Sequence, residues 1–292
     1  MNYTRQGDTL SLVIDDAHQG MSVREFFQSY RLSRKRIHLL VMDKDYSVNG
    51  TFAAPETILN KGDVLRVKAY DPDDGMYTPG ETLPDVVYED DILLAAYKPA
   101  GLPVYPSSQD ITDSLAHRVA LHYAVNGDNI PVRYIHRLDD DTEGLVLFVK
   151  CAFVQSLMDR MLEEREIHRD YLAIVHGRFP DRKSHVIDAP LGRDRHQSGR
   201  MRVGGSQRAV TTYTCLDEKD NLSLVSCSLE TGRRHQIRVH MASLSHPLVG
   251  DKLYGARENV PLALQAWRLS FIHPLSNGPI KVCVQEERRL SL

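Results

Sequence analysis

Cysteine is scarce in this 292-residue sequence: there are four, at positions 151, 215, 227 and 283, and no two stand at Cys-x-x-Cys spacing. Neither a zinc knuckle nor a thioredoxin-type redox pair is written here, and the thiols are expected as free core residues of a protein from a reducing compartment. No apolar stretch approaches the roughly 20 residues that span a bilayer. The opening Met-Asn-Tyr-Thr-Arg-Gln-Gly-Asp lacks the apolar region of a secretory signal. A cytoplasmic protein with no membrane partner is the expectation. Excess charge is missing too: 36 Lys and Arg stand against 39 Asp and Glu, a net charge of −3. That balance does not decide for or against nucleic acid, because phosphate affinity rests on local basic patches that a total hides. A glycine-rich phosphate loop, a dinucleotide fingerprint, internal repeats and low-complexity runs are also absent.

What is there centres on residues 133–150. Within it, His136-Arg137-Leu138-Asp139-Asp140-Asp141-Thr142-Glu143-Gly144 runs straight into Leu145-Val146-Leu147-Phe148-Val149. The apolar run is long enough for a buried strand and too short for a helix. Three aspartates at the mouth of that strand, beside His136 and Arg137, stand where desolvation and a cationic neighbour can tune a carboxylate. A solvated acidic turn closed by Gly144 is the structural alternative.

Upstream, residues 10–16 alternate as a strand. Met21 to Tyr30 and Ser33 to Val41 read as short helices, the second capped by Ser33 and carrying Arg34, Lys35 and Arg36 in its first turn. Basic residues there oppose the helix dipole, which suggests a partner for their charge, although an exposed basic turn with no role is the commoner arrangement. A strand into the Asn49-Gly50 turn and another over residues 62–68 complete a small unit by residue 70. Residues 71–84, rich in proline and acid with no apolar period, read as a linker, and 85–292 as the main domain. There, strands flank an acidic turn at 89–91, and helices are expected over 112–124 and 152–165, with His117 and His122 on the helix surface. Arg193, Arg195, Arg200, Arg202 and Arg208, against the single acid Asp194, make 193–208 a basic glycine-containing loop, either suited to a phosphate backbone or, about equally, a solvated loop with no partner.

His136-Arg137-Leu138-Asp139-x-x-Thr142-x-Gly144-Leu145 resembles the signature of the RluA-type pseudouridine synthases, with Glu143 where that family has Ser. Lys98-Pro99-x-Gly101-Leu102, preceded by Tyr97 instead of Asn, is similar to its first motif. Arg169-x-Tyr171-Leu-Ala and Thr231-Gly232-Arg233-Arg234-His235-Gln236-Ile237-Arg238, continued by His246-Pro247 and Gly250-Asp251-x-x-Tyr254-Gly255, resemble further motifs. The N-terminal unit is similar to a small RNA-binding domain of ribosomal-protein type. The resemblance implies an α+β protein: a mixed, mainly antiparallel, bent sheet flanked by helices and loops, behind a small α/β RNA-binding domain. It implies Asp139 as catalytic carboxylate, Tyr171 as active-site tyrosine and Arg238 as the fixed cation beside Asp139. Substrate contacts are expected from His136, Arg137, Thr142, Arg233, His235 and Gln236, and from Arg34, Lys35 and Arg36. The implied reaction isomerises uridine to pseudouridine in structured RNA, ribosomal RNA foremost and transfer RNA second. It requires no metal, nucleotide or redox cofactor, and a monomer is expected. Base flipping follows from the need to bring a stacked base to a buried carboxylate, with Arg137 filling the vacated stack.

Two other readings weigh against this one. A divalent-metal hydrolase would combine Asp139, Asp140 or Asp141 with His235, His240 or His246, yet the spacing of His235 and His240 puts them off a common helical face. An RNA-binding protein without catalysis would need only the N-terminal unit and the arginine loop, and would have no use for Asp139, Tyr171 and Arg238 together.

Overall fold

Alternating apolar residues at the start of the chain build an antiparallel sheet. The computed structural model describes residues 1–108 and 112–292. In it, strands β1 (Asn2–Gln6), β2 (Thr9–Val13), β3 (Tyr46–Val48) and β4 (Val64–Lys68) join in the order β1-β2-β4-β3. Helices α1 (Val23–Ser29) and α2 (Arg34–Met42) cross between β2 and β3. Each starts on a serine: Ser22 forms a capping box with Glu25, and Ser33 accepts the Arg36 N–H at 3.1 Å. Asn49 and Gly50, both at positive φ, make the turn after β3.

The second sheet takes in β5 (Asp85–Glu89), β6 (Leu93–Lys98), β7 (Glu143–Val149), β8 (His168–His176) and β9 (Ser184–Asp188). A separate hairpin, β10 (Leu191–Arg193) with β11 (Met201–Val203), interrupts it before β12 (Val210–Lys219), β13 (Leu222–Leu229), β14 (Leu264–Ile272) and β15 (Pro279–Cys283). Its strands run β5-β6-β7-β14-β8-β13-β12-β9, with β15 on the remaining length of β14. Among the described residues only the short β7–β14 pairing is parallel. The class is therefore α+β with a mixed, mainly antiparallel sheet. Helices α3 (Leu115–Val125), α4 (Gln155–Glu163) and α5 (Gln236–Ser243) complete the chain.

Aromatic packing joins the two sheets into one core. Phe153, ahead of α4, sits among Phe26, Phe27 and Tyr30, with ring centroids 4.9–6.4 Å away. Arg5 reaches across to Asp128 at 2.6 Å. Asp71 is gripped by Arg36 at 2.8 Å and by Arg133 at 2.7 Å. The stretch read as a linker is thus seated: the Gly80 N–H donates to the His117 carbonyl at 2.9 Å, and the Tyr77 ring stands edge-on to His117. His117 itself, expected on the helix surface, is buried, with Nδ1 3.0 Å from the Ser114 hydroxyl. The seated strap covers a helix face that periodicity alone left open. His122 stays partly exposed and pairs with Glu89 at 2.7 Å. The basic loop 193–208 starts at the last residue of β10 and takes in β11, strands of three residues each that are too short to show a period.

At the β7–β14 seam, Gly144 has φ +122, and a Cβ there would lie 2.2 Å from the Ala266 carbonyl oxygen. Only glycine lets the two backbones meet. Gly144→Ala is expected to cost about 2–4 kcal/mol, measured by urea unfolding. A cost below about 0.5 kcal/mol, the level of a neutral surface change, would show that the seam does not constrain the fold.

Candidate active site

The loop between Tyr134 and Glu143 is held from beneath before any side chain can face a ligand. Lys98, fully buried, donates to the carbonyls of Pro99 (3.0 Å), Leu102 (2.7 Å) and Asp140 (2.7 Å), and the Gly101 N–H adds a bond to Asp140 at 2.9 Å. Burial pulls the Lys98 ammonium down to about 8, opposed by Asp140, Asp141, Asp139 and Glu143. Inside the loop, the Thr142 N–H closes a turn on the Asp139 carbonyl at 3.0 Å. His136 accepts the Leu147 N–H on Nε2 at 3.2 Å, and burial drives its pKa to about 3 with Arg169 adding to the fall. It is a neutral structural acceptor whose Nδ1, buried without a protein partner, borders the cleft.

Tyr97 and Glu143, two of the three departures from the motif pattern (the third is Arg169 in place of Lys), belong to one cluster. Gln265 donates to Glu143 at 2.8 Å and to the Arg288 carbonyl at 2.8 Å, while the Arg288 guanidinium lies 5.7 Å from the Tyr97 ring centre. Burial, then a hydrogen bond to Glu143, raises the Tyr97 phenol above its ordinary range. The substitutions at 97 and 143 thus meet each other, on the side of the sheet where the chain end crosses.

Above the loop opens a cleft of about 1150 Å³ lined by Asp139, Thr142, Tyr171, Arg233, His235, Gln236, Arg238 and Asp251, among others. Asp139 keeps 25% of its side chain exposed there. Tyr171, on β8, is buried, and burial raises its phenol, with Asp139 and Asp170 reinforcing and Arg169 opposing. A phenol of that kind stays protonated at neutral pH and can donate a hydrogen bond.

Arg238 does not make the direct pair expected with Asp139. Its Nε and Nη2 close bidentately on Asp251, at 2.7 and 2.8 Å, with both residues buried. Burial works against its charge, but Asp251, and Asp139 beyond it, hold its pKa above the ordinary value. Among the described residues, the basic side chain within 4.0 Å of the Asp139 carboxylate is His235, with Nε2 4.0 Å from Oδ2. Gln236, expected to touch substrate, spends its amide on the protein: Oε1 accepts from Thr231 at 2.7 Å and from the Arg233 N–H at 3.1 Å, and Nε2 donates to Val210 and Thr211. Its work is to fix the 231–236 turn. Arg233 is exposed at the cleft wall, its Nε on the Arg208 carbonyl at 3.1 Å.

At the rim, the Arg137 guanidinium lies 4.8 Å from the Tyr105 ring centre and bonds the Tyr105 hydroxyl, while Tyr105 stacks on Tyr134 at 5.1 Å with 9° between planes. Of the N-terminal cations, Arg34 and Lys35 are exposed, whereas Arg36 is engaged with Asp71. Of the histidines of the hydrolase reading, His240 and His246 are engaged away from the aspartates, and His235 has one ring nitrogen on Tyr254. His240 lies between Thr211 and the Ala189 carbonyl, and His246 on the His176 carbonyl. No group of three or more His, Cys, Asp or Glu able to hold a metal ion occurs among the described residues.

Sequence reasoning gave no role to Lys98, Tyr105, Arg169, Asp251 or Tyr254. Asp251 and Tyr254 carried a signal, since they stand in the Gly-Asp-x-x-Tyr-Gly continuation; Tyr105 carried none.

The fold and this cleft define a class. Human RNA pseudouridylate synthase domain containing 1 superposes with a TM-score of 0.57 over 71% of the chain and 86% of its own, at 24% identity, which speaks for the fold alone. Domain containing 4 does so at 0.57 over 68% and 87%, at 22% identity. The sequence signature described as RNA pseudouridylate synthase covers residues 92–243, and that of the RluD ribosomal pseudouridine synthase N-terminal domain covers 10–65. The chain belongs to the RNA pseudouridylate synthase family, and its activity is that of an isomerase acting on uridine in RNA. Among its relatives are the uncharacterized RNA pseudouridine synthase YhcT of Bacillus subtilis, 34% identical over 94% of this chain and 92% of that protein, and the ribosomal large subunit pseudouridine synthase D of Nitrosomonas europaea, 34% identical over 92% and 82%. No helix among the described residues is long and apolar enough to cross a membrane.

His136 gives the site a pH dependence of known sign. Between about 6.5 and 3 the unfolded chain takes up a proton that the folded imidazole refuses, so acid removes stability at about 1.4 kcal/mol per pH unit. His136→Gln, which keeps an acceptor for the Leu147 N–H, is expected to lose about 2 kcal/mol less than wild type between pH 7 and 5, measured by urea unfolding. Parallel losses would contradict the neutral buried imidazole.

Proposed function

We propose that this enzyme converts specific uridines of structured RNA, ribosomal RNA foremost, to pseudouridine, with the target base everted into the cleft and Asp139 as the reacting carboxylate. One observation carries the reading: Asp139, Tyr171 and the Arg238–Asp251 pair line a single cleft large enough for a nucleotide. The reaction conserves every atom. The N1–C1′ bond breaks, the base turns, C5 bonds to C1′, the C5 proton is given up and N1 gains one. Asp139 serves as nucleophile, the buried Tyr171 ring stacks the base, and Arg238 lends positive potential from its seat on Asp251.

Eversion costs a few kcal/mol of lost stacking. Arg137, already stacked on Tyr105 and exposed, replaces the lost stack by swinging off the tyrosine. Exposed Arg34 and Lys35, with Arg193, Arg195 and Arg202 of the hairpin region, provide backbone contacts that do not depend on sequence. Relatives named ribosomal large subunit pseudouridine synthase D favour that RNA, and a cytoplasmic monomer suits the work.

Asp139→Asn is expected to abolish conversion, assayed by pseudouridine mapping on unmodified large-subunit ribosomal and transfer RNA transcripts, while RNA affinity stays within about threefold, since affinity rests on phosphate contacts elsewhere. Retention of conversion by the variant would remove Asp139 from the chemistry. A wild type that binds RNA but converts no uridine would leave a binding protein.

A further inference from the structure

We propose that His235 is a positioning residue for Asp139, its tautomer set by Tyr254 so that Nε2–H is aimed at the carboxylate. This rests on the reading of Asp139 as the reacting group, and it moves His235 from substrate contact to support of the catalytic residue.

The observations form a chain of three groups. The Met201 N–H, on β11 of the basic hairpin, donates to the Tyr254 hydroxyl oxygen at 2.9 Å. That oxygen also lies 2.9 Å from His235 Nδ1, and both side chains are buried. With one lone pair of the phenol taken by Met201, and no other acceptor for its hydrogen among the described residues, the hydroxyl donates to Nδ1. A neutral imidazole that accepts on Nδ1 carries its hydrogen on Nε2. Nε2 is the atom 4.0 Å from Asp139 Oδ2. Charge does not upset this assignment. Burial lowers the pKa of His235, Arg238 and Arg234 lower it further, and Asp139 and Asp251 pull the other way without reversing the fall.

At 4.0 Å the N–H faces the carboxylate without yet bonding it, the long geometry usual before substrate closes a site. The residue is also held for this purpose. His235 adopts φ 54, ψ 22, left-handed, immediately before α5, and its ring stands edge-on to Tyr254 at 5.7 Å and 86°. Arg238 is bound to Asp251, so the short-range donor to Asp139 comes from the imidazole. A donor on one carboxylate oxygen fixes which oxygen is presented to the everted nucleotide.

Two measurements on the full chain test the assignment. In ¹⁵N-histidine-labelled protein at neutral pH, the His235 ring is expected to show the Nε2–H signature, and Tyr254→Phe to convert it wholly or in part to Nδ1–H. With an unmodified large-subunit ribosomal RNA transcript, Tyr254→Phe and His235→Leu are expected to lower kcat at least about tenfold with KM within about twofold, while His235→Gln, whose amide N–H reaches the same place, recovers most of the loss. An Nδ1–H tautomer in wild type, a rise in KM with kcat intact, or a Gln variant no better than Leu would each overturn the proposal. A wild type inactive on every RNA offered overturns the role of Asp139 and this proposal with it. An active wild type with unaffected variants overturns this proposal alone.

Discussion

The buried bidentate pair between Arg238 and Asp251 fixes the wall that Asp139 faces. Two charges closed off from water hold each other only while both are present; either alone would be an uncompensated buried ion, a penalty of several kcal/mol. The pair ties α5 to the turn after Leu248 and so sets where His235 stands. The opposite wall is equally constrained. Gly144 presses β7 against Ala266, and Lys98 gathers three carbonyls beneath the aspartate loop. The cleft lies between two elements that cannot drift independently, which is what a carboxylate needs if it is to meet a reacting atom within a few tenths of an ångström.

Around this fixed centre the groups suited to RNA are exposed. Arg137 rests on Tyr105 at the rim, and the arginines near the β10–β11 hairpin lie on the surface. Met201 links that hairpin to the centre by bonding Tyr254, which in turn holds His235. The N-terminal sheet is joined to the rest through Phe153 and the Arg36–Asp71–Arg133 cluster, which turns one expected RNA contact into a structural ion pair.

Much of this was legible in the sequence, and the failures have physical reasons. Leu145 to Val149 admitted one reading because five apolar residues, opened by Gly144 and closed by Lys150, are too few for a helix and suit a buried strand. The caps at Ser22 and Ser33 and the Asn49-Gly50 turn are local, so local sequence reports them. Pairing across distance is different. Nothing in the spacing of Arg238 and Asp251 shows that the arginine would turn from Asp139 to the later aspartate. Gln236 looks like a ligand-binding amide until the turn that consumes it is seen. His117 lost its exposure to a strap with no period of its own, and the hairpin over 191–203 is too short to announce itself. Asp139 and Tyr171 were legible as residues, whereas the groups that hold them were not.

The central claim is that an everted uridine meets Asp139 in this cleft. Its most direct test is the structure of the enzyme bound to an RNA carrying 5-fluorouridine at a modified position, where the fluorine blocks release from C5. The account expects the fluorinated ring out of its helix, lying against Tyr171, with an Asp139 oxygen within about 3–3.5 Å of the ring or of C1′, or bonded to one of them. A base still stacked in the RNA, or everted into a different pocket with Asp139 facing solvent, would contradict it.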